Sequence, residues 1–96
     1  MSQLDQRAQR LTATGQVFGQ RCRLHSIYYI GAAAAGLITL RDGGAGGVVK
    51  VDIDTPITSA SVPMHIYIGE EAGVLFSTNM HCSALGVTGA TFFFTA

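Results

Sequence analysis

The stretch RDGGAGGVVKVDIDTP, from Arg41 to Pro56, holds the residue types of this chain that most readily do chemistry. Its glycine cluster GGAGG could cradle a phosphate with backbone amides, as nucleotide-binding loops do. Such a loop must open a helix and needs further motif residues, such as a lysine followed by a hydroxyl, at fixed spacing. Here the cluster runs into VVKVDID, whose alternation is typical of a strand. The pattern therefore predicts a flexible hairpin loop whose glycines adopt positive φ.

Two acids, Asp52 and Asp54, follow the glycine cluster on one side of the same predicted strand, about 6 to 7 Å apart by strand rise. Such a pair could hold calcium or serve as an acid and a base. Calcium takes about six to eight oxygen ligands, however, and the sequence offers no third ligand at a fixed spacing. The pattern favours a solvated strand edge or an interface contact, and it predicts no metal and no cofactor.

The histidines and cysteines are too scattered to form a recognisable site. His25, His65 and His81 fall on three separate predicted strands without an HxH or HxxxH spacing, so we expect surface or interface imidazoles. Cys22 and Cys82 have no CxxC spacing and are predicted to be buried, inert thiols. No set of nucleophile, base and oxyanion donors can be assembled from these residues. The sequence therefore predicts no catalytic residue and a protein that is not an enzyme.

Composition limits the size of the core and the kinds of partner. The 96 residues make one domain, 48% hydrophobic and only 12% charged, whereas soluble domains average about 25% charged residues. We therefore expect part of the surface to face other protein. A formal net charge of zero gives no reason to expect nucleic acid or an anionic membrane as a partner. No apolar stretch suits an export signal or a membrane span, so we expect synthesis and assembly in the cytoplasm.

The charges are unevenly distributed along the chain. Residues 1–23 carry four arginines and one aspartate, a net of +3, and residues 24–96 carry two bases and five acids, a net of −3. Either a basic start of one copy meets an acidic surface of another, or the arrangement is due to chance. Tyr28, Tyr29 and Tyr67 could stack nucleic-acid bases on a sheet, but the net negative charge of the sheet region opposes this role.

From Thr12 onward, short β-favouring runs alternate with turn residues about every ten positions, which is typical of an all-β sandwich or barrel. In VVKVDID the second, fourth and sixth residues would be buried, and in PMHIYIG His65 and Tyr67 would point outward. The predicted strands are 12–18, 21–30, 36–41, 48–54, 63–68, 74–77, 80–85 and 90–95. The fold class is therefore all-β, a small β-sandwich or jelly-roll of about eight short antiparallel strands over residues 12–96.

Both ends of the chain are predicted to contact neighbouring molecules. MSQLDQRAQRL, residues 1–11, could form a short helix, lie disordered or order only against a neighbour. We favour an N-terminal arm that orders on assembly, whose deletion would leave the melting temperature of the isolated domain nearly unchanged. The closing strand TGATFFFTA has aromatic residues on both faces, and each ring left exposed forfeits roughly 1.5 to 3 kcal/mol. The predicted interface comprises Leu4, Arg7, Arg10, Leu11, Phe92, Phe93 and Phe94.

The order of features from Gly36 to Phe94 resembles small virion proteins of tailed bacteriophages. The resemblance rests on LRDGGAGG at a strand end, a strand running to DIDTP, then HIYIGEEAGVLFSTNMHCSAL and the aromatic strand TGATFFFTA. It implies a non-enzymatic β-sandwich or jelly-roll subunit of the virion, used in many copies. We expect a capsid cement or decoration protein that binds the major capsid protein or other virion proteins and forms homo-oligomers, with trimers at threefold positions.

The sequence leaves other functions open. The resemblance also fits a component of the phage neck or tail. A carbohydrate- or receptor-binding module would place exposed Tyr29, Tyr67 or His65 beside the carboxylates, because sugar sites pair a ring face with acidic acceptors. A small enzyme would require a concave pocket with convergent titratable groups.

Overall fold

The computed structural model describes residues 6–31, 35–55, 63–68 and 73–96, and these residues form β-strands and no helix. The strands are β1 (Gln6–Leu11), β2 (Gly15–Phe18), β3 (Cys22–Ile30), β4 (Gly36–Asp42), β5 (Val48–Thr55), β6 (Pro63–Tyr67), β7 (Val74–Phe76), β8 (Met80–Leu85) and β9 (Gly89–Thr95). Within these ranges there is no helix long and apolar enough to cross a membrane. The prediction of an all-β fold is confirmed, and all eight predicted strands overlap observed ones.

The pairs among these nine described strands are all antiparallel, and the strands form two sheets. The larger sheet has the order β1-β9-β3-β6, with β7 also paired to β3, and the smaller sheet has the order β2-β8-β4-β5. One continuous core contains residues of both sheets, so the sheets pack face to face as a β-sandwich. The chain measures 42 × 31 × 17 Å along its principal axes, and the short third dimension is that of two sheets stacked about 10 Å apart.

The core is built from one side of each strand, because successive side chains of a strand point to opposite faces. Leu24, Ile27 and Phe92 enter it from the larger sheet, and Ile38 and Leu40 enter it from the smaller one; all five are fully buried. Each such side chain stabilises the fold by roughly 1.5 to 3 kcal/mol relative to an exposed one. The thin sandwich therefore depends on the inward-facing side chains of its two sheets.

The closing aromatic run is divided between the two sides of β9. Phe92 and Phe94 point into the core, where the Phe94 and Phe18 rings lie 4.9 Å apart between centroids. Phe93 is half-buried on the opposite side of the sheet. The sequence-based interface includes all three phenylalanines, but the structure buries two of them within the chain itself. Only Phe93 of the three is within reach of another molecule.

β5 follows the predicted alternation except at its start. Val51 is buried, as predicted, but Val49 is 42% exposed. The cause is a β-bulge: Leu40 of β4 pairs with Val51 and Arg41 pairs with Val49, so Lys50 is an extra residue without a partner on β4. An inserted residue changes which face the preceding side chains occupy, and nothing in the alternating run VVKVDID reveals it.

The start of the chain differs from the predicted arm. β1 pairs over its whole length with β9 of the same chain, from Gln6 opposite Thr95 to Leu11 opposite Ala90. Leu11 is half-buried against the core. Leu4 lies outside the described residues. The segment forms a strand because β9 offers it an edge of unpaired amides and carbonyls, and this tertiary pairing overrides a weak local preference.

We therefore expect deletion of residues 1–11 to destabilise the isolated domain, because it removes the pairing of β1 with β9 and uncovers the core beneath Leu11. A loss of at least about 1 kcal/mol, equivalent to about 4–8 °C in melting temperature for a domain of this size, would be measured by circular dichroism. Deletion of residues 1–5 keeps β1 and serves as the control. An unchanged melting temperature after the longer deletion would show that β1 adds nothing to the isolated fold.

Candidate functional site

Four aromatic side chains share the outer face of the larger sheet. Tyr28 on β3 lies opposite His65 on β6, and both Phe93 on β9 and Tyr67 on β6 lie opposite Ser26. The alternate residues of β3 point into the core, so these four rings project away from it. The outward orientation of His65 and Tyr67 confirms the prediction from PMHIYIG. We call the four side chains the aromatic face.

The rings of the aromatic face contact one another around His65. Its imidazole stacks on Tyr67, with centroids 5.4 Å apart and planes at 27°, and it meets Tyr28 edge to face at 6.2 Å. The Phe93 ring lies 6.1 Å from His65 in a tilted arrangement. Tyr67 is 77% exposed, so much of this apolar cluster faces water in the single chain. Clustered exposed apolar groups mark interaction sites, whereas single ones need no explanation.

The larger sheet is basic. Its described strands carry Arg7, Arg10 and Arg23 and no acid, which gives a net charge of +3. The Arg10 side chain lies over Gly89 of β9 on the outer face. If Gly89 had a Cβ, that atom would lie only 2.5 Å from Arg10 Nη2. Arg23 alternates with two buried residues of β3 and so also projects outward. The negative charge that the sequence assigns to the sheet region therefore does not belong to the described strands that carry the rings.

Arg7 lies at the opposite side of β1. Its guanidinium carbon is 5.3 Å from the centre of the Phe18 ring, a cation–π contact at the rim of the core. Of the two arginines predicted at an interface in this segment, Arg10 therefore borders the aromatic face, while Arg7 stabilises the packing between β1 and β2.

The acids of the described strands lie in the smaller sheet. This sheet carries three acids and two bases, a net of −1: Asp42, Asp52, Asp54, Arg41 and Lys50. Asp52 and Asp54 are exposed on the edge strand β5, where Asp52 Oδ1 accepts a hydrogen bond from Thr39 Oγ1 at 2.9 Å. Leu37 on β4 pairs with Asp54 and is 41% exposed. We call Leu37, Asp52 and Asp54 the acidic patch.

No grouping of metal-binding side chains surrounds the acidic patch in the described part of the chain. Among the residues that the structure describes, no three His, Cys, Asp or Glu side chains are grouped so that they could hold a metal ion. The histidines lie apart, on β3, β6 and β8, as their spacing predicts. His25 Nε2 is hydrogen-bonded to Thr95 Oγ1 at 3.0 Å and ties β3 to the end of β9.

The glycine cluster forms the hairpin loop between β4 and β5, as predicted. Gly43 and Gly44 have φ of 107° and 89°, a region that residues with a Cβ rarely adopt. Gly47 N donates to Gly44 O at 3.0 Å. Asn79 Oδ1 accepts hydrogen bonds from the amides of Gly43 and Gly44, at 3.1 and 2.9 Å. Because these amides are bonded within the chain and a strand follows the loop, the arrangement does not suit phosphate.

A carboxylate holds the glycine loop against the turn between β7 and β8. Asp42 accepts hydrogen bonds from the amides of residues 77–79, at 2.9 to 3.3 Å, and from the Ser77 hydroxyl at 2.9 Å. These donors favour the charged carboxylate, the amide of Thr78 most of all, and they lower the pKa of Asp42 to about 2. Together with Asn79, Asp42 fastens two loops at one end of the sandwich, and we call this contact the loop clamp.

Both cysteines are free and buried, as predicted. The Cys82 thiol donates a weak hydrogen bond to the Ala84 carbonyl at 3.2 Å. Burial raises the pKa of Cys22 and of Cys82 to about 11, so little thiolate is present at neutral pH. His81 precedes Cys82 on β8 and points to the opposite face of the strand, so the two cannot act as a thiol and its base.

The structure also separates the groups that a sugar-binding module would need together. Tyr29 is 2% exposed and belongs to the core. Tyr67 and His65 are exposed on the larger sheet, whereas the two neighbouring carboxylates lie on an edge strand of the smaller one. A ring face beside an acidic pair is therefore not formed by these residues.

Comparison with protein-family models, with curated proteins and with solved structures finds no match to the chain.

The loop clamp predicts acid sensitivity. The folded-state pKa of Asp42 is lowered from 3.8 to about 2, so its contribution to stability is present above pH 3.8 and is lost as the pH falls to about 2. We expect Asp42→Asn to be less stable than wild type at pH 7 and to lose less stability between pH 4 and pH 2. Denaturant unfolding at each pH measures both effects, with the exposed Asp54→Asn as a control. Equal pH profiles for Asp42→Asn and wild type would contradict the clamp.

The buried thiols predict slow modification. In the native protein at pH 8, Cys22 and Cys82 should react with a disulfide reagent such as DTNB only as fast as the fold opens. Both should react at once in guanidinium chloride. A Gln16→Cys variant, which adds a thiol at an exposed position of β2, should gain one rapidly reacting group. Immediate reaction of a native thiol would show that at least one cysteine is accessible.

Proposed function

We propose that the chain is a non-enzymatic structural subunit of a bacteriophage particle, which completes the burial of its aromatic face against other protein. The observation that carries the proposal is the group of four contacting rings on the outer face of the larger sheet, with Tyr67 77% exposed. A soluble monomer gains nothing from such a cluster in water, and each ring that a partner covers would contribute roughly 1.5 to 3 kcal/mol.

The make-up of this face suits protein more than other partners. Aromatic residues and arginine are enriched at the centres of protein–protein interfaces, whereas lysine and acids are depleted there. The aromatic face has Arg10 beside it and no acid among the described residues of its sheet. The low overall share of charged residues, 12%, also suits a protein that functions while bound to other proteins. Neither nucleic acid nor a membrane is part of the proposal.

The particle is proposed from the resemblance of residues 36–94 to small virion proteins of tailed bacteriophages. Of the features that carry the resemblance, the DG-rich turn lies between β4 and β5, and the aromatic strand is β9. Within the particle we place the chain on the head, as a cement or decoration protein that binds the major capsid protein in many copies. Trimers at threefold positions are the proposed assembly. A neck or tail component is the alternative location.

A carbohydrate- or receptor-binding module is a second candidate, because Tyr67 and His65 present a stacked, exposed pair of rings. It is less well supported, because the exposed carboxylates of β5 are on the other sheet. Specific retention on a glycan array by wild type, lost in Tyr67→Ala, would favour this module over the structural subunit.

Immunogold electron microscopy tests the proposed location. Antibodies against the purified protein would be applied to phage particles from the strain that encodes the chain, with antibody pre-absorbed by the protein as the control. Regular labelling of the head supports a cement protein, and labelling of one end or of the tail supports the alternative. Purified particles without the protein would overturn the proposal.

Readdition tests the role of the aromatic face. Wild-type protein should bind to particles assembled without it, while Tyr67→Ala should bind at least about tenfold more weakly, as expected for an interface ring. Gln16→Ala, which alters an exposed residue of the smaller sheet, is the matched control and should bind like wild type. Equal binding of all three would show that the aromatic face is not used.

A further inference from the structure

The two sheets differ in charge and both expose apolar side chains. The described strands of the larger sheet carry three arginines and no acid, and the exposed edge of the smaller sheet carries Asp52 and Asp54 beside the exposed Leu37. Along the sequence this difference appears only as a basic start and a more acidic remainder. In the fold it becomes two distinct surfaces on one molecule, the aromatic face with its arginines and the acidic patch.

We infer that the aromatic face of one copy binds the acidic patch of a second copy, head to tail. The inference names the partner that covers the aromatic face and so rests on the proposed function. Arg10, beside the rings, meets the carboxylates of Asp52 and Asp54, while the exposed rings cover Leu37. Opposite charges around an apolar contact set orientation and suppress wrong pairings more than they add affinity.

The charge of the aromatic face argues against pairing with itself. In a twofold dimer the same patch meets its copy, which would bring Arg10 and Arg23 of one protomer towards the same residues of the other with no acid from the described part of that sheet between them. Like charges placed together across an interface are unfavourable. A head-to-tail contact avoids this, because each protomer supplies one basic and one acidic surface.

A head-to-tail contact also agrees with the assembly proposed above. Contacts between two different patches generate a closed ring when the rotation between copies closes and an open series when it does not. A cyclic trimer is such a ring, and it requires two complementary surfaces on every subunit. The aromatic face and the acidic patch supply these two surfaces.

Charge exchange tests the contact with the full chain. One variant carries Arg10→Glu and Arg23→Glu, and the other carries Asp52→Lys and Asp54→Lys. Alone, each has two surfaces of the same sign and should be monomeric by light scattering at a concentration where wild type is associated. A third variant carries all four substitutions, so the acidified aromatic face of each copy meets the lysine-bearing patch of the next copy in a ring of any size. This variant should therefore regain the wild-type mass.

Two further variants keep the test decisive if a double variant fails to fold. Tyr67→Ala truncates a side chain that is 77% exposed and should weaken association at least about tenfold, as loss of an interface ring does. Gln16→Lys adds a charge at an exposed site on β2 and should leave the mass unchanged. Circular dichroism melting of each variant separates loss of association from loss of the fold.

Three results would overturn the contact: a monomeric wild type, a folded fourfold variant that stays monomeric, or Asp52→Lys/Asp54→Lys that still associates like wild type. A monomer that binds a fluorescein-labelled oligothymidine, with binding lost in Tyr67→Ala, would assign the face to single-stranded nucleic acid instead. An open series of larger species would support the contact and overturn only the trimer. If association fails these tests but the protein is found on phage heads, only the contact between copies is overturned. If the charge-exchanged protein associates as expected but the protein is absent from phage particles, only the proposed function is overturned.

Discussion

Strand β9 is the element on which the rest of the sandwich depends, because it is paired on both sides. β1 lies along one edge of β9 and β3 along the other, and its period-two alternation sends Phe92 and Phe94 into the core and Phe93 to the outside. One short run of aromatic residues thereby joins the larger sheet, anchors the core and supplies part of the aromatic face. A substitution that disturbed the register of β9 would move all three at once.

The residue composition of the strands explains which of them could be predicted from the sequence. Strands β2 to β7 and β9 contain β-branched or aromatic residues between glycine, proline or asparagine turns, and such a pattern is visible in one sequence. β8, MHCSAL, lacks such residues but lies between Asn79 and Gly86. β1 contains no such residue, since QRAQRL has neither β-branched nor aromatic side chains. β1 is a strand because it pairs with the second edge of β9, whose residues lie about eighty positions further along the chain. The extra residue Lys50, which exposes Val49, is likewise set by pairing with β4.

The candidate site could be predicted in part, for His65 and Tyr67, but not as a surface. Alternation in PMHIYIG places His65 and Tyr67 outside, and the pattern of β3 does not choose a core face for Tyr28 and Tyr29. The strand order β1-β9-β3-β6 decides both questions, because it places Tyr28, His65 and Phe93 side by side. The same order gathers Arg7, Arg10 and Arg23 into one sheet. A sum of charges along the chain cannot reveal this, since it adds residues that the fold puts on opposite sheets.

The contacts within the aromatic face bear on how strongly it can bind. His65 touches three other rings, so the side chains that a partner would meet are already held by one another. Binding normally requires such side chains to lose rotamer freedom, at about 0.5 to 1.5 kcal/mol for each flexible one. Where neighbouring rings restrict the rotamers beforehand, less freedom remains to be lost on contact. A small sandwich with few charged residues can thus offer a firm apolar surface, and an arginine beside that surface would favour an acidic partner.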